Sequence, residues 1–354
     1  MKISILIPTK NRLPILRETL HNIYSVNKLP KEDFEVIVSN DGDDDLSILY
    51  DEFPFDNLKI IQNNHKAGLS GNRNNAIEFS QYEILQFLDD DILITENFLM
   101  NVITVHKKFD NIILCGNRFY PQPLIEIAKK TPFSRYKLKY EYNWLDGLMM
   151  NKIDDGLYEV NSLAGFSISM KRETFDKVRD FDENFDYAGC EDAEFFYRAS
   201  QKNVKLLFDE KNICYHNELD NFTLDTWLRR QSTGIRSAVV VCKLHPEGQN
   251  HPTWYTNTPL KKSDPKDVKL LKLKKIFCSF PPVYNFLHFL AIYGEKIKLP
   301  DSFLFRLYNA LWLGATYRSF REAYKEIFEN KNDLSNIIPS LSMSYYIFRN
   351  QMIY

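Results

Sequence analysis

The sequence predicts an α/β protein: a mixed, mainly parallel sheet flanked by helices, followed by a helical C-terminal region. Three short apolar runs rich in Ile and Val, "ISILI", "EVIV" and "LKII", occur early in the chain and are separated by helical spacing or polar turns. Runs of this kind are typical of strands covered on both faces. Alternating strands and helices favour parallel pairing with right-handed crossovers.

Composition limits the classes of function. The chain has 354 residues, of which 44% are hydrophobic, so it can bury a large core and is expected to form two domains. A formal net charge of -2 gives no reason to expect a nucleic-acid partner. Five scattered cysteines and the absence of a long apolar run predict a cytoplasmic protein that is soluble or peripheral on the inner face of a membrane.

Each predicted strand of the first ninety residues ends in a polar segment. These segments are "PTKNR", "NDGDDD", "NNHKAGLSGNRNNAI" and "DDD", in chain order. Ligands of parallel sheets bind beyond the carboxyl ends of the strands, near the switch point. We therefore expect the functional site at this edge of the sheet.

The triplet Asp89, Asp90 and Asp91 has two interpretations. Three adjacent carboxylates between the apolar runs "EILQFL" and "ILI" suit a divalent cation with oxygen ligands. They equally suit an acidic turn that caps a helix beginning near Thr95. The triplet alone favours the turn, and only its place after a fourth polar strand end favours the metal.

The segment after the third strand is also open to two interpretations. Gly68 and Gly71 permit a tight turn, and Arg73 falls in the first turn of a helix predicted to start near Ser70, where it could approach phosphate. Alternatively, Arg73 is a solvated helix charge and Gly68 an ordinary turn glycine.

An ordered set of motifs resembles the family 2 glycosyltransferases, whose fold is GT-A, a Rossmann-like arrangement. "ISILIPTKNR" is similar to the opening strand of that family, "VIVSNDGDDD" to its V-V-D-D-G-S segment, "HKAGLSGNRNNAI" to G-x-x-x-A-R-N-x-G, and "QFLDDDILI" to its D-x-D motif. The resemblance continues to about residue 235. Asn40 stands where the family usually has the first of two aspartates, and Asn72 where it often has Ala. The first departure could alter the contacts with a uracil base.

The resemblance implies a nucleotide-sugar donor, UDP-linked by preference, and a role for each motif residue. Asp41 would accept hydrogen bonds from the base, Arg73 would approach the nucleotide, and Asp89 would hold the ribose. Asp91 would bind Mn²⁺ or Mg²⁺, which stabilises the leaving diphosphate, and Asp90 would contact that cation through water or point away. The implied donor-binding residues are Pro8, Thr9, Asn11, Arg12, Asn40, Asp41, Gly68, Gly71, Arg73, Asp89 and Asp90.

The middle of the chain is predicted to supply the acceptor side. A strand within "SLAGFSISM" contains the small residues Ala164 and Gly165, which permit close approach of a ligand. "CEDAEFF" is similar to the family's E-D motif, so Glu191 and Asp192 are the catalytic candidates, with Asp192 implied as the general base of an inverting displacement. The alternative is a pair of ordinary acidic residues at a helix N-terminus.

His216 follows the strand predicted to begin near Val204. Family members often place a metal-binding histidine there, and imidazole is a reasonable ligand for Mn²⁺. An exposed or capping histidine explains the sequence equally well.

Composition changes beyond residue 260. "LKKSDPKDVKLLKLKKIF" contains seven Lys against two Asp and precedes aromatic helices with apolar residues at helical spacing. Such a region suits a membrane surface, a homo-oligomer contact or packing on the catalytic domain. We predict a catalytic domain at 1–260, with a nucleotide-sugar-binding half at 1–115 and an acceptor-binding half at 116–260, and a helical subdomain at 261–354.

The sequence thus predicts an enzyme of polysaccharide biosynthesis that transfers a sugar to a hydroxyl of a glycan or lipid-linked acceptor. A sugar-nucleotide pyrophosphorylase would need glycines directly after the first strand, and "PTKNR" has none. The non-enzymatic alternative is a carbohydrate-binding or scaffolding protein with the same fold. The aromatic segment "FSRYKLKYEYNWLDGLMM" either stacks on acceptor sugars or belongs to a core.

Overall fold

The computed structural model describes residues 1–141, 148–186, 189–218, 222–250 and 252–329, without the side chains of residues 141, 250, 252 and 253. Part of the aromatic segment (142–147) and the end of the predicted helical subdomain (330–354) lie outside these ranges. The first of two compact units comprises Met1–Pro121, Gly147–Asp186 and Glu191–Asn217, and the described parts of 122–146, 187–190 and 218–354 form the second. The boundary at residue 260 stays a prediction.

Ten strands of the described residues form one mixed sheet in the first unit. Their order is β3-β2-β1-β4-β9-β6-β10-β8-β7, and β5 pairs with β10. The strands are β1 Ile3–Thr9, β2 Phe34–Asn40, β3 Leu58–Gln62, β4 Ile84–Leu88, β5 Ile92–Ile94, β6 Ile112–Phe119, β7 Met150–Asp154, β8 Leu157–Val160, β9 Ser167–Lys171 and β10 Lys205–His216.

Parallel pairing joins β3, β2, β1 and β4, and also joins β6 to β10. Strand β9 runs antiparallel between β4 and β6. The first two strands are buried along their whole length, as expected for strands with both faces covered. The mixed sheet flanked by helices and the helical C-terminal region confirm the predicted fold class.

The helices of the described residues are divided between the two units. They are α1 Leu13–Val26, α2 Ile48–Glu52, α3 Leu69–Glu78, α4 Phe98–Lys108, α5 Gln122–Ala128, α6 Pro132–Glu141, α7 Arg172–Val178, α8 Glu191–Gln201, α9 Leu224–Leu244, α10 Pro252–Asn257, α11 Lys266–Ser279, α12 Pro281–Lys296 and α13 Asp301–Tyr324. Helix α1 buries Leu16, Leu20 and Ile23, which recur at helical spacing.

Two element boundaries differ from the prediction. Strand β1 continues through Pro8 because its pairing with β4 ends at Leu6, so the missing N–H of proline disturbs no ladder on that side. The helix after the aspartate triplet begins at Phe98 instead of near Thr95, because Ile92–Ile94 pair with the end of β10. This pairing sets His216 opposite Ile92, the residue after Asp91.

The second unit has its own core. Aromatic residues of three helices meet there: Phe133 and Tyr136 of α6, Trp227 of α9 and Tyr308 of α13, with apolar residues of α12 packed against them. The rings of Phe133 and Tyr308 meet edge to face at 5.4 Å between centroids.

Candidate functional site

The carboxyl ends of β1, β2 and β4 bring three of the polar segments to one edge of the sheet. Parallel pairing aligns Thr9 of β1 with Asn40 of β2. The side chain of Thr9 donates to Asp90, which follows β4, at 2.7 Å. The strand order therefore joins segments that lie up to 81 positions apart in the sequence.

Asp41 is held by the segment that follows the third strand. Asn63 Nδ2 donates to Asp41 Oδ1 at 2.7 Å, and the backbone N–H of Gly68 donates to Oδ2 at 3.1 Å. Lys10 Nζ lies 3.0 Å from the same Oδ2. Oδ1 accepts one of these hydrogen bonds and has a further lone pair, so a bound group could still donate to it.

Asn40 and Asn11 shape the loops around Asp41. Asn40 accepts from the N–H of Gly42 at 3.0 Å and donates to the carbonyl of Asp44 at 3.0 Å. Asn11 has a positive φ of 53° and accepts from the N–H of Asp43 at 2.8 Å. Both side chains therefore stabilise turns, a role for which asparagine is well suited.

Gly68 and Gly71 are each required to be glycine for a different structural reason. Gly68 has a φ of 133°, which side-chain-bearing residues rarely adopt. A Cβ at Gly71 would lie 2.1 Å from the carbonyl oxygen of Lys66. Together they allow the turn that aims the N–H of Gly68 at Asp41 and starts α3.

Arg73 lies inside the protein, on a polar and buried helix, and is not a solvated helix charge. Its Nη1 is 3.1 Å from Glu191 Oε1 and its Nη2 is 3.3 Å from Asp89 Oδ1. Nη2 also donates to the carbonyl of Gly165 at 3.2 Å. Burial opposes the charge, but the carboxylates of Asp89, Glu191 and Asp192 together raise the pKa of Arg73.

Asp90 is enclosed by the chain itself. Thr9 Oγ1 donates to one of its oxygens and Arg12 Nη1 to the other, and Thr19 donates to its backbone carbonyl at 2.7 Å. Burial raises the pKa of Asp90 to about 7, against the opposing effect of Arg12. Both oxygens of the buried Asp90 side chain therefore accept hydrogen bonds from the chain.

Asp91 faces His216 and Arg12. Arg12 Nη2 donates to Asp91 Oδ2 at 2.9 Å, and His216 Nε2 lies 3.1 Å from Oδ1. Burial alone would raise the pKa of Asp91, but His216 and Arg12 hold it well below its ordinary value. Within the described residues Oδ1 is buried and has no hydrogen bond of normal geometry, despite the nearby imidazole.

This arrangement fits a divalent cation. Neighbouring ligands of an octahedral ion bound at about 2.1 Å lie about 3 Å apart, close to the spacing of Asp91 Oδ1 and His216 Nε2. Among the described residues no group of three or more His, Cys, Asp or Glu could hold a metal. A protein that offers one carboxylate and one imidazole leaves the other positions to phosphate oxygens and water, as Mg²⁺ prefers.

Asp192 is fixed at the first turn of α8. The backbone N–H of Gly165 donates to its Oδ2 at 2.8 Å, and a Cβ at Gly165 would lie 3.0 Å from the Cβ of Asp192. Burial raises the pKa of Asp192 although its side chain is only half-buried, and Arg73 opposes the shift. Glu191 is fully buried against Arg73, so its observed contact is with that guanidinium.

The structure thus joins eight of the predicted site residues, together with Gly165, in two adjacent networks. One runs from His216 and Asp91 through Arg12 to Asp90, and the other from Asp89 through Arg73 to Glu191, Gly165 and Asp192. Five carboxylates face two guanidinium groups and one imidazole in these contacts. The excess of negative charge favours a further cation at this edge.

Sequence reasoning missed three contributors. Arg118 Nη1 on β6 lies 3.4 Å from His216 Nδ1, and its guanidinium lies over the ring of Phe166. Asn63 orients Asp41, and the backbone of Gly165 orients Asp192. Only Gly165 carried a signal, as a small residue near a predicted strand, although the structure places it in a turn before β9 and not within the strand. An arginine at the end of a strand has no periodicity that marks it.

Comparisons with known proteins bear on the family and the fold of the chain. Residues 4–178 match the family model described as "Glycosyl transferase family 2". The chain belongs to that family. Its recognition as a family 2 glycosyltransferase from the sequence motifs is confirmed.

Among relatives, the chain is similar to a chondroitin synthase of Pasteurella multocida (strain Pm70), with 28% identity over 241 residues, or 61% of this chain and 25% of the relative. It spans less than two thirds of the length of the first curated relatives that it matches.

Two solved structures share the fold. One is GalNAc-T7 with UDP, GalNAc and Mn²⁺, at a TM-score of 0.52 and 14% identity over 77% of this chain and 54% of that one. The other is the mannosyltransferase PcManGT from Pyrobaculum calidifontis with GDP-Man and Mn²⁺, at a TM-score of 0.51 and 14% identity over 93% and 88%. Both support the GT-A fold of this family 2 chain.

Proposed function

We propose that the chain is an inverting, cation-dependent transferase that moves a sugar from a nucleotide diphosphate sugar, UDP-linked by preference, to a hydroxyl of a glycan or lipid-linked acceptor. One observation carries the proposal. Arg73 contacts both Asp89, on the donor side, and Glu191 beside Asp192, so the candidate base lies in the same network as the donor motif. The match to a family 2 domain supports this assignment.

The donor side is formed by Asp41, Asp89 and Arg73. Asp41 retains acceptor capacity for a base, and the half-buried Asp89 can accept from ribose hydroxyls. The two solved structures carry a uridine and a guanosine nucleotide, respectively. The preference for UDP follows from the family motif, and a guanosine donor is the alternative.

Mn²⁺ or Mg²⁺ would be held by Asp91 and His216. When bound there, the cation would neutralise charge on the leaving diphosphate. The two solved structures contain Mn²⁺, and the 3.1 Å contact between Asp91 Oδ1 and His216 Nε2, which lacks normal hydrogen-bond geometry, supports a cation held by both side chains. Arg12 orients the same carboxylate through its other oxygen.

Asp192 would remove the proton from the attacking hydroxyl. The N–H of Gly165 and the N–H of Ala193 hold the two oxygens of Asp192 in place, and each oxygen keeps a lone pair for the acceptor. A raised pKa makes a carboxylate a stronger base. Attack from the face opposite the leaving group then inverts the anomeric centre.

The decisive experiment measures nucleoside diphosphate release with a panel of UDP and GDP sugars, with and without Mn²⁺. We expect Asp192→Asn to lower turnover about 10²–10⁴-fold while leaving donor affinity nearly unchanged, because only proton removal is lost. The matched control is Glu173→Gln, which changes an exposed acid on α7. NMR of the product identifies the anomer.

Each alternative has its own outcome. Tight donor binding without turnover for any donor would indicate a binding protein. Formation of a nucleotide sugar from a nucleoside triphosphate and a sugar phosphate would indicate a pyrophosphorylase. Wild-type turnover in Asp192→Asn would show that another group accepts the proton.

A further inference from the structure

Helices α11 and α12 of the second unit have unusual composition. Within the described chain, no helix by itself has the length and apolar character needed to cross a membrane. The pair Lys266–Ser279 and Pro281–Lys296 meets that requirement jointly, with a bend of 77° at the break.

Helix α11 buries two of its lysines and exposes large apolar residues. Lys272 and Lys275 are buried, and Lys272 Nζ forms an ion pair with Asp264 at 2.8 Å. On the opposite side Leu270 is 71% exposed and Phe277 is 63% exposed. A helix of a soluble protein normally has the reverse polarity. The outer side of α11 therefore has the character of a surface that is covered in use.

Helix α12 also exposes large apolar side chains. Phe286 and Phe289 are each 60% exposed, and Tyr293 and Ile297 follow at helical spacing and are also exposed. The rings of Phe289 and Tyr293 lie nearly parallel, with centroids 5.7 Å apart. These large rings form a stripe along the helix and not a set of isolated exposures.

Both helices pack against α13 through close contacts at glycines. A Cβ at Gly314 of α13 would lie 2.4 Å from the carbonyl of Cys278, and one at Gly294 of α12 would lie 2.9 Å from a methyl carbon of Leu304. The exposed sides of both helices therefore point away from α13. We call this surface the apolar face, and it comprises Leu270, Leu273, Phe277, Phe286, Phe289 and Ile297.

Basic residues surround the apolar face. Residues 261–298 contain nine lysines against three acidic residues, in a chain whose formal net charge is -2. Lys266, Lys274 and Lys296 are exposed on the same two helices. Lysine is depleted at interfaces between proteins, whereas aromatic residues with a basic border match the headgroup region of an anionic bilayer.

We propose that the apolar face docks on an anionic lipid bilayer, with α11 and α12 lying in the plane of the interface. The phenylalanines would enter the boundary between headgroups and acyl chains, and the exposed lysines would contact lipid phosphate. The proposal rests on the surface of the second unit alone. It does not depend on the sugar-transfer chemistry and can be tested without a donor.

The test is sedimentation of the full chain with vesicles of phosphatidylcholine alone or mixed with phosphatidylglycerol. We expect binding to the anionic vesicles that weakens with salt. The triple variant Phe277→Ser, Phe286→Ser, Phe289→Ser should lose at least about tenfold in vesicle affinity, because three rings no longer leave water. The control variant Tyr50→Ser, Phe79→Ser removes two exposed rings of the first unit and should bind like wild type.

A second pair of variants tests the basic border. Lys266→Glu, Lys274→Glu should lower affinity for anionic vesicles about tenfold or more, since each lysine near such a surface contributes to binding. Lys107→Glu, Lys130→Glu makes the same change of charge at exposed sites outside α11 and α12 and should have little effect. Unfolding midpoints of all variants identify any that fail to fold.

Three outcomes would overturn the proposal. They are no binding of the wild type to either vesicle, equal losses in the phenylalanine variant and its control, and a wild-type dimer that the triple variant converts to a monomer without a change in vesicle affinity. The last outcome would assign the apolar face to a second copy of the chain.

Discussion

Two buried ion pairs of this chain differ in the hydrogen bonding of their carboxylate oxygens. We call a carboxylate closed when both oxygens accept hydrogen bonds of normal geometry from the chain, and open when one of them does not. In the second unit Lys272 and Asp264 meet at 2.8 Å with almost no exposed side-chain surface, and Lys272 also donates to the carbonyl of Pro259. In the first unit Asp91 is equally buried between Arg12 and His216, yet its Oδ1 has no hydrogen bond of normal geometry within the described residues.

We infer from this difference that one buried carboxylate stabilises the fold and the other binds a ligand. Polar atoms in a folded interior are almost always hydrogen-bonded, so an exception calls for a ligand or a strained contact to explain it. The Lys272 pair is satisfied by its own chain and has no capacity that calls for a ligand. Asp91 retains an oxygen that a cation could use, and the surrounding acids favour one.

The largest expected effect on turnover is that of removing the open carboxylate, Asp91. Asp91→Ala should lower nucleoside diphosphate release by about 10²–10³-fold, because the lost cation site supplies several kcal/mol of charge stabilisation. The residual rate should no longer increase with Mn²⁺. Asp43→Ala removes an exposed aspartate of the loop after β2 and is the matched control. Mn²⁺-stimulated turnover in Asp91→Ala would refute the assignment of the cation to Asp91.

Breaking the Lys272–Asp264 pair should lower the stability of the fold and should not change the rate of sugar transfer directly. Lys272→Met leaves the Asp264 carboxylate buried without its cation, so we expect Tm to fall by about 5 °C or more. Lys274→Met replaces an exposed lysine of the same helix and should change Tm little. Thermal unfolding followed by circular dichroism checks both. If both variants melted like wild type, the pair would not be a structural element.

Sequence patterns predicted the first unit better than the second. The strands and the order of their polar ends follow from apolar runs and motif order, which are local. Three further features depend on contacts between distant segments: Arg12 linking Asp90 to Asp91, Arg118 beside His216, and the pairing of β5 with β10.

The polarity of α11 is a different case. Its residues recur at helical spacing, but periodicity defines the sides of a helix and does not tell which side meets the core. Buried Lys272 and Lys275 contradict the usual assumption that the apolar side is inside. Asp264, which neutralises Lys272, lies eight residues away in the turn before the helix. The sequence of a turn does not show which way such a side chain points.

Asp90 is a closed carboxylate within the candidate site itself. Like Asp264, it accepts hydrogen bonds at both carboxylate oxygens from groups of its own chain, here Thr9 and Arg12, although the open Asp91 is the next residue in the sequence. The comparison between closed and open carboxylates therefore also applies to the adjacent residues Asp90 and Asp91. If it is correct, neighbouring aspartates should respond very differently to the same kind of substitution.

The smallest expected effect is accordingly that of Asp90→Asn. The new Oδ1 can accept from Arg12, and the new Nδ2 can donate to the hydroxyl of Thr9, which then acts as acceptor, so both contacts of Asp90 can be kept. We expect turnover within about threefold of wild type, whereas Asp90→Leu should lower Tm because Thr9 and Arg12 both lose their acceptor. Steady-state assays at matched Mn²⁺ compare the variant with Asp91→Ala. A loss in Asp90→Asn as large as that in Asp91→Ala would mean that Asp90 also acts on the bound cation, and that closure by the chain does not distinguish structural from functional carboxylates.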